Sequence, residues 1–253
     1  MQPTYTPTQE SPPAEETGPM TAREFLSAIS EHIEELRKRL LIAVIALAVT
    51  TLASFVFAEQ ILALLARSIG GLENLQAIEI TENVSVFMRV SLLSGFILSF
   101  PLIAYELLAF IMPGLEPNER RWVYSFIPIA TLLFLSGVAF AYFVMLPVAV
   151  PFLVSFLGIP TEVRPASYIN FVTNLMFWIG VVFQMPLIVF ILAKLRIISA
   201  AQLLKQWRLA IVLSAAGAAL ITPTVDPVNM GLLMAPLIVL YFLSVLFARL
   251  AGN

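Results

Sequence analysis

Apolar residues fill long stretches of this chain, and polar ones are confined to the gaps between them. Phe25, Ile29, Ile33, Leu36 and Leu40 recur at spacings of four, four, three and four, which aligns them on one helical stripe. Glu31, His32, Glu34, Glu35, Arg37, Lys38 and Arg39 occupy the other face, so an amphipathic interfacial helix is expected over 22–40. Thr21-Ala22-Arg23-Glu24 has the form of a capping box at its start. Long apolar runs then follow at about 41–58, 84–112, 122–150, 168–195, 207–222 and 228–248. An α-helix needs about 20 such residues to cross hydrocarbon. None of the runs shows the strict alternation of an outer-membrane strand. The pattern predicts an all-α, polytopic membrane helical bundle of six transmembrane helices, each satisfying its backbone groups within its own segment.

Punctuation refines the elements. Ile61–Ile69 reads as a short amphipathic helix that Gly70-Gly71 ends. Pro128 and Pro147 are expected to break the third span, and Pro186, next to Gln184, to free a carbonyl in the fourth. Lys194 to Arg208 reads as a basic loop. The last apolar pair is short and is read as two crossings that deform the bilayer locally, with a re-entrant hairpin as the alternative. Residues 1–20 hold Pro3, Pro7, Pro12, Pro13 and Pro19 among polar residues, which predicts a disordered tail ahead of a single membrane domain over 21–253. No basic stretch precedes a short apolar core there, so the tail does not read as a secretory signal peptide.

Composition agrees: 60% of residues are hydrophobic and 12% charged, against roughly a quarter charged in soluble domains. The absence of cysteine excludes disulfides and thiol chemistry, and the single His32 argues against a multi-histidine metal or haem site. No nucleophile–base motif or phosphate-binding glycine loop is present, so neither an enzyme nor a cofactor site is expected. Eleven of the 14 lysines and arginines fall on the side of the termini; only Arg67, Arg89 and Arg164 fall on the other. By the positive-inside rule both termini and the loop bearing Glu119 are expected to be cytoplasmic. That topology accounts for the basic residues without nucleic acid.

Candidate chemistry gathers between Phe100 and Trp122. Pro101 and Glu106 lie within an apolar span, where a carboxylate must be paired, protonated or facing water. Glu119 follows on a loop stiffened by Pro113 and Pro117, beside Arg120 and Arg121; an acidic group displayed this way suits a basic ligand. Gln184 reads as an interhelical hydrogen-bonding group or a transport position. Asp226, between prolines, reads as a turn residue capping the last helix or as a functional carboxylate. A secondary transporter using Glu106 and Asp226 as ion-coupling carboxylates is the competing function, although no internal repeat supports it.

Several motifs carry a family resemblance. His32-Ile33-Glu34-Glu35-Leu36-Arg37-Lys38-Arg39-Leu40 resembles the opening of the TatC family, the multi-span core of the twin-arginine protein translocase. Pro101 to Phe110 with Pro113-Gly114-Leu115 and Glu119-Arg120, Gly137 through Phe143 with Pro147, Gly180 through Pro186, and Thr222-Pro223 with Asp226 and Pro236 are similar to later family motifs in the same order. The resemblance implies a receptor for Arg-Arg signal peptides of folded precursors, with Glu35, Arg37, Phe110, Glu119 and Arg120 as the signal-peptide site. It implies TatA-type and TatB-type single-span partners docking near Gln184, Met185, Pro186 and Tyr241, a higher-order oligomer in the active complex, and export driven by the proton-motive force. Two guanidinium groups call for planar bidentate acceptors, which interfacial carboxylates supply.

Overall fold

The computed structural model describes residues 22–111, 120–155, 158, 162–221 and 227–251. The proline-rich tail, the capping Thr21, the loop bearing Glu119 and the turn bearing Asp226 lie outside the described residues. The chain divides into two compact units, Met1–Lys38 and Arg39–Asn253. The described residues hold no strand, only an isolated bridge between Leu75 and Val163.

Helix α1 runs without interruption over Ala22–Ser54. The expected interfacial segment and first span are thus parts of one helix, as the lack of any Gly or Pro between Ala22 and Ser54 allows. After a 3-10 turn comes α2 (Ala58–Ala66), and a second 3-10 turn over Arg67–Ile69 stops where Gly70 adopts φ 90° and Gly71 φ 128°, values that glycine alone accepts cheaply. Helix α3 covers Glu82–Ile111 and holds Pro101 in its interior.

The third span departs from expectation. Pro128 lies inside α4 (Arg120–Phe140) without ending it. The irregularity is a π-helical turn over Ala141–Met145, which leads into α5 (Leu146–Ser155). Pro147 has no amide to give Phe143, and the ladder widens just before it, with Leu146 N–H reaching Ala141.

The fourth span is α6 (Pro165–Val182) and α7 (Met185–Lys194), parted at Phe183–Gln184 where Pro186 cannot continue the ladder. Arg196, at φ 58°, closes α7 in a Schellman arrangement, with Ile197 N–H on Leu192 O at 3.0 Å and Arg196 N–H on Ala193 O at 2.9 Å. The supposed basic loop holds a helix of its own, α8 (Ala200–Lys205). Its cause is a capping box: Ser199 Oγ accepts from Gln202 N–H, and Gln202 Oε1 accepts from Ser199 N–H. Helices α9 (Trp207–Ile221) and α10 (Pro227–Leu250) complete the bundle.

Among the described residues, five segments are long and apolar enough to cross a membrane: His32–Ile69, Glu82–Ile111, Ser125–Ser155, Pro165–Lys194 and Pro227–Leu250. The 15 residues of α9 are also apolar but extend only about 22 Å.

Within the larger unit, α3, α4 and α6 pack on an aromatic core. Phe134 is fully buried and stacks on Phe100 at 3.9 Å between ring centres, while Phe96 meets Phe134 and Phe177 edge-on. Such pairs add roughly 0.5–1.5 kcal/mol each beyond their buried area. Gly95 lets α1 and α3 touch through their backbones, since a methyl there would lie 2.6 Å from Thr51 Cα. Thr50 Oγ1 seals the contact by donating to Gly95 O at 2.8 Å. A smaller cluster joins α7, α8 and α10 through Val189, Ala193, Ala200, Tyr241, Val245 and Ala248.

Candidate functional site

Of the three possible states of Glu106, the structure shows the paired one. Its side chain is 9% exposed, and Oε2 lies 3.2 Å from Arg39 Nη1, joining α3 to α1. Among the described residues no second polar group reaches the Glu106 carboxylate, which retains acceptor capacity. Phe110, half-buried, lies one helical turn further along α3. Pro101, half-buried in the same helix, leaves Ile97 O without its usual donor. In the N-terminal unit, Glu35 is half-buried while His32, Glu34, Leu36, Arg37 and Lys38 are exposed. Arg120 is the first residue of α4. Glu119 and Asp226, two of the sequence candidates, fall outside the described residues.

The candidates of the fourth and last spans are brought together around α7. Gln184 sits at the α6–α7 break and donates from Nε2 to Ala130 O of α4 at 3.1 Å, so its amide ties two spans together. Pro186 is buried behind it, and Met185 is exposed. Tyr241 is buried, and its hydroxyl donates to Leu203 O of α8. Met185 and Tyr241 line one groove of about 340 Å³ with Leu209, Leu213, Gly217 and Leu237. Met185 and Tyr241 thus belong to one surface, although 56 positions separate them in the chain.

Sequence reasoning missed a polar staple at the opposite end of α3. Glu82 is only 3% exposed. Its Oε1 accepts from Ala166 N–H at 3.0 Å, and its Oε2 from Ile78 N–H at 3.1 Å, Glu79 N–H at 3.5 Å and Arg164 Nη2 at 3.4 Å. A carboxylate from one span therefore caps the start of another, α6, where unpaired amides favour negative charge. Arg164 also pairs with Glu79 at 2.9 Å. The hydrogen bonds to Glu79 and then Glu82 hold its guanidinium pKa above the usual arginine value. Asn170 and Asn174, polar groups within α6, bond to each other at 3.1 Å, and Arg89 of α3 donates to Asn170. The signal for the staple was available in part, since Glu82 and Arg164 each directly precede an apolar run, but no spacing rule links positions 82 apart.

These features define a class: a polytopic α-helical membrane protein whose charged pairs sit at the ends of its spans. The sequence matches the family described as Sec-independent protein translocase protein (TatC) over residues 31–236. It is 34% identical over 222 residues to the Sec-independent protein translocase protein TatC of Carboxydothermus hydrogenoformans, covering 87% of this chain and 91% of that one. The TatC protein of Deinococcus radiodurans is 35% identical over 252 residues, covering 96% and 93%. A crystal structure of the twin-arginine translocase receptor TatC superposes with a TM-score of 0.77 at 33% identity, covering 88% of this chain and all of that one. The chain belongs to the TatC family and is a component of the Sec-independent protein translocase.

Proposed function

We propose that this chain is the receptor core of a twin-arginine translocase, lying in the cytoplasmic membrane with both termini and the Glu119 loop cytoplasmic and with α9 as a sixth crossing. Glu35 and Glu119 take up the two signal-peptide guanidinium groups, Phe110 packs against apolar residues beside them, and Arg37 and Arg120 orient the carboxylates. Gln184, Met185, Pro186 and Tyr241 mark the surface where TatA-type and TatB-type single-span helices dock. Recruitment in a higher-order oligomer draws on the proton-motive force, whose electrical part is worth roughly 2.3 kcal/mol per charge per 100 mV.

The observation that carries this reading is the Arg39–Glu106 pair: α3, which leads toward the Glu119 loop, already holds a guanidinium against a carboxylate in half-buried surroundings. The solved relative described as a twin-arginine translocase receptor supports the same reading. The transporter alternative is not favoured, because Glu106 is engaged by Arg39 and the relatives are translocase components.

Site-specific crosslinking of Arg-Arg and Lys-Lys signal peptides to probes at Phe110 and position 119 tests it. Arg-Arg peptides are expected to crosslink preferentially, and Glu119→Lys to abolish the preference. Equal capture of both peptides would remove the site. Gln184→Leu is expected to weaken partner association more than signal capture; the reverse order would exchange the two surfaces.

A further inference from the structure

We propose that the groove walled by the end of α1, α2, α3 and α4 is a phospholipid site, taking one acyl chain into its apolar trough and the phosphate at Arg67. The groove encloses about 710 Å³, within the ~300–1,000 Å³ range of small-ligand sites. One stretch of it is lined by Leu98, midway along α3, and Leu135 of α4. Tyr142, Phe143 and Arg67 also line it.

Most of its polar capacity is already committed. Tyr142 donates to Leu64 O at 2.9 Å and Ser94 donates to Val90 O at 2.8 Å, while the Ser54 hydroxyl is buried without a hydrogen-bond partner. The Arg67 guanidinium is exposed and has no hydrogen-bond or ion-pair partner among the described residues. An apolar trough ending in one unspent cation matches an apolar chain ending in one anion. A guanidinium also fits phosphate oxygens in its planar fork.

Length separates this occupant from a helix. Leu135 to Phe143 spans eight residue steps, about 12 Å at the helical rise. That is close to one leaflet, half of the ~30 Å hydrocarbon thickness, whereas a transmembrane partner needs the whole. Arg67 lies at the polar end of the bundle, directly before the Gly70-Gly71 turn and the segment bearing Glu73, Glu79 and Glu82, which is headgroup depth for a lipid whose tail points toward mid-span.

The test uses the full chain in nanodiscs of phosphatidylcholine and phosphatidylglycerol doped with a phospholipid carrying a diazirine midway along one acyl chain. After irradiation, labelled peptides are mapped by mass spectrometry. Labelling is expected to concentrate on residues 93–98 and 135–143, to fall roughly tenfold in Arg67→Gln, the change from losing one charge-assisted hydrogen bond, and to return in Arg67→Lys. Ala139→Trp, which fills the trough while leaving the cation, is expected to lower it as well. Labelling of lipid-facing Leu246 on α10 serves as the internal reference and stays constant. Three outcomes overturn the proposal: equal labelling of the groove and Leu246, which is annular lipid only; no response to Arg67→Gln or Ala139→Trp; or protection of the groove by a second copy or a single-span protein in chemical crosslinking.

Discussion

Helix α3 carries a buried carboxylate near each end, and the two are held very differently. Glu82 meets three backbone amides and a guanidinium, so its acceptor capacity is nearly used up. Glu106 is almost as buried but meets Arg39 at 3.2 Å and no other polar group among the described residues. Burying a carboxylate is costly unless it is well hydrogen-bonded. At Glu82 that cost is offset by dense local bonding, as a structural staple requires. At Glu106 it is offset by one long side chain from another helix. The difference separates a carboxylate fixed by four donors from one held by a single donor of another helix.

The sharpest way to break this contrast is Glu82→Ala. The α6 amides lose their cap and Arg164 loses a partner, so thermal unfolding in detergent should give the lowest midpoint of the series, with Glu79→Ala nearly unchanged because the Glu79 side chain is 66% exposed. A Glu82→Ala protein that melts like the parent would show that the staple is ornamental. Next in size, Arg39→Leu should cost about 3 kcal/mol by stranding Glu106, and Arg39→Leu with Glu106→Leu should recover most of it, measured by denaturant titration. Full stability in the single variant would mean that Glu106 is satisfied without Arg39. Gln184→Leu, removing one interhelical bond, should cost only about 1 kcal/mol in the same titration. Tyr241→Phe should cost slightly less, about 0.5–1 kcal/mol for one neutral hydrogen bond. A loss above that of Arg39→Leu in either case would move the critical polar contact to the α7–α10 half.

What could be read in advance follows from the range of the interactions. The helices were legible because hydrophobic periodicity and length are local properties, and the stop after α2 at Gly70-Gly71 was legible because a left-handed backbone leaves a residue-type signature. The charge-bearing span residue Glu106 was singled out by its cost, but its partner was not: Arg39 lies 67 positions away and was counted with the solvated charges of α1. Glu82 was passed over because it stands at a segment boundary, where a carboxylate looks ordinary. Helix α8 was missed because a capping box without a long apolar run after it looks like loop. The third span was expected to break at Pro128 and Pro147 and instead widens at Ala141–Met145, since sequence marks where a donor is lost and not where the ladder makes room.

The π turn at Ala141–Met145 has a consequence for how this family of chains can vary. Five residues there complete a loop of the ladder that an α-helix would close with four, so every side chain from Leu146 onward is rotated by about 100° relative to an uninterrupted helix. The segment behaves as a phase register: removing one residue from it would restore the α ladder and leave Pro147 and Pro151 on their present azimuth, whereas straightening it at the same length would turn both by about 100°.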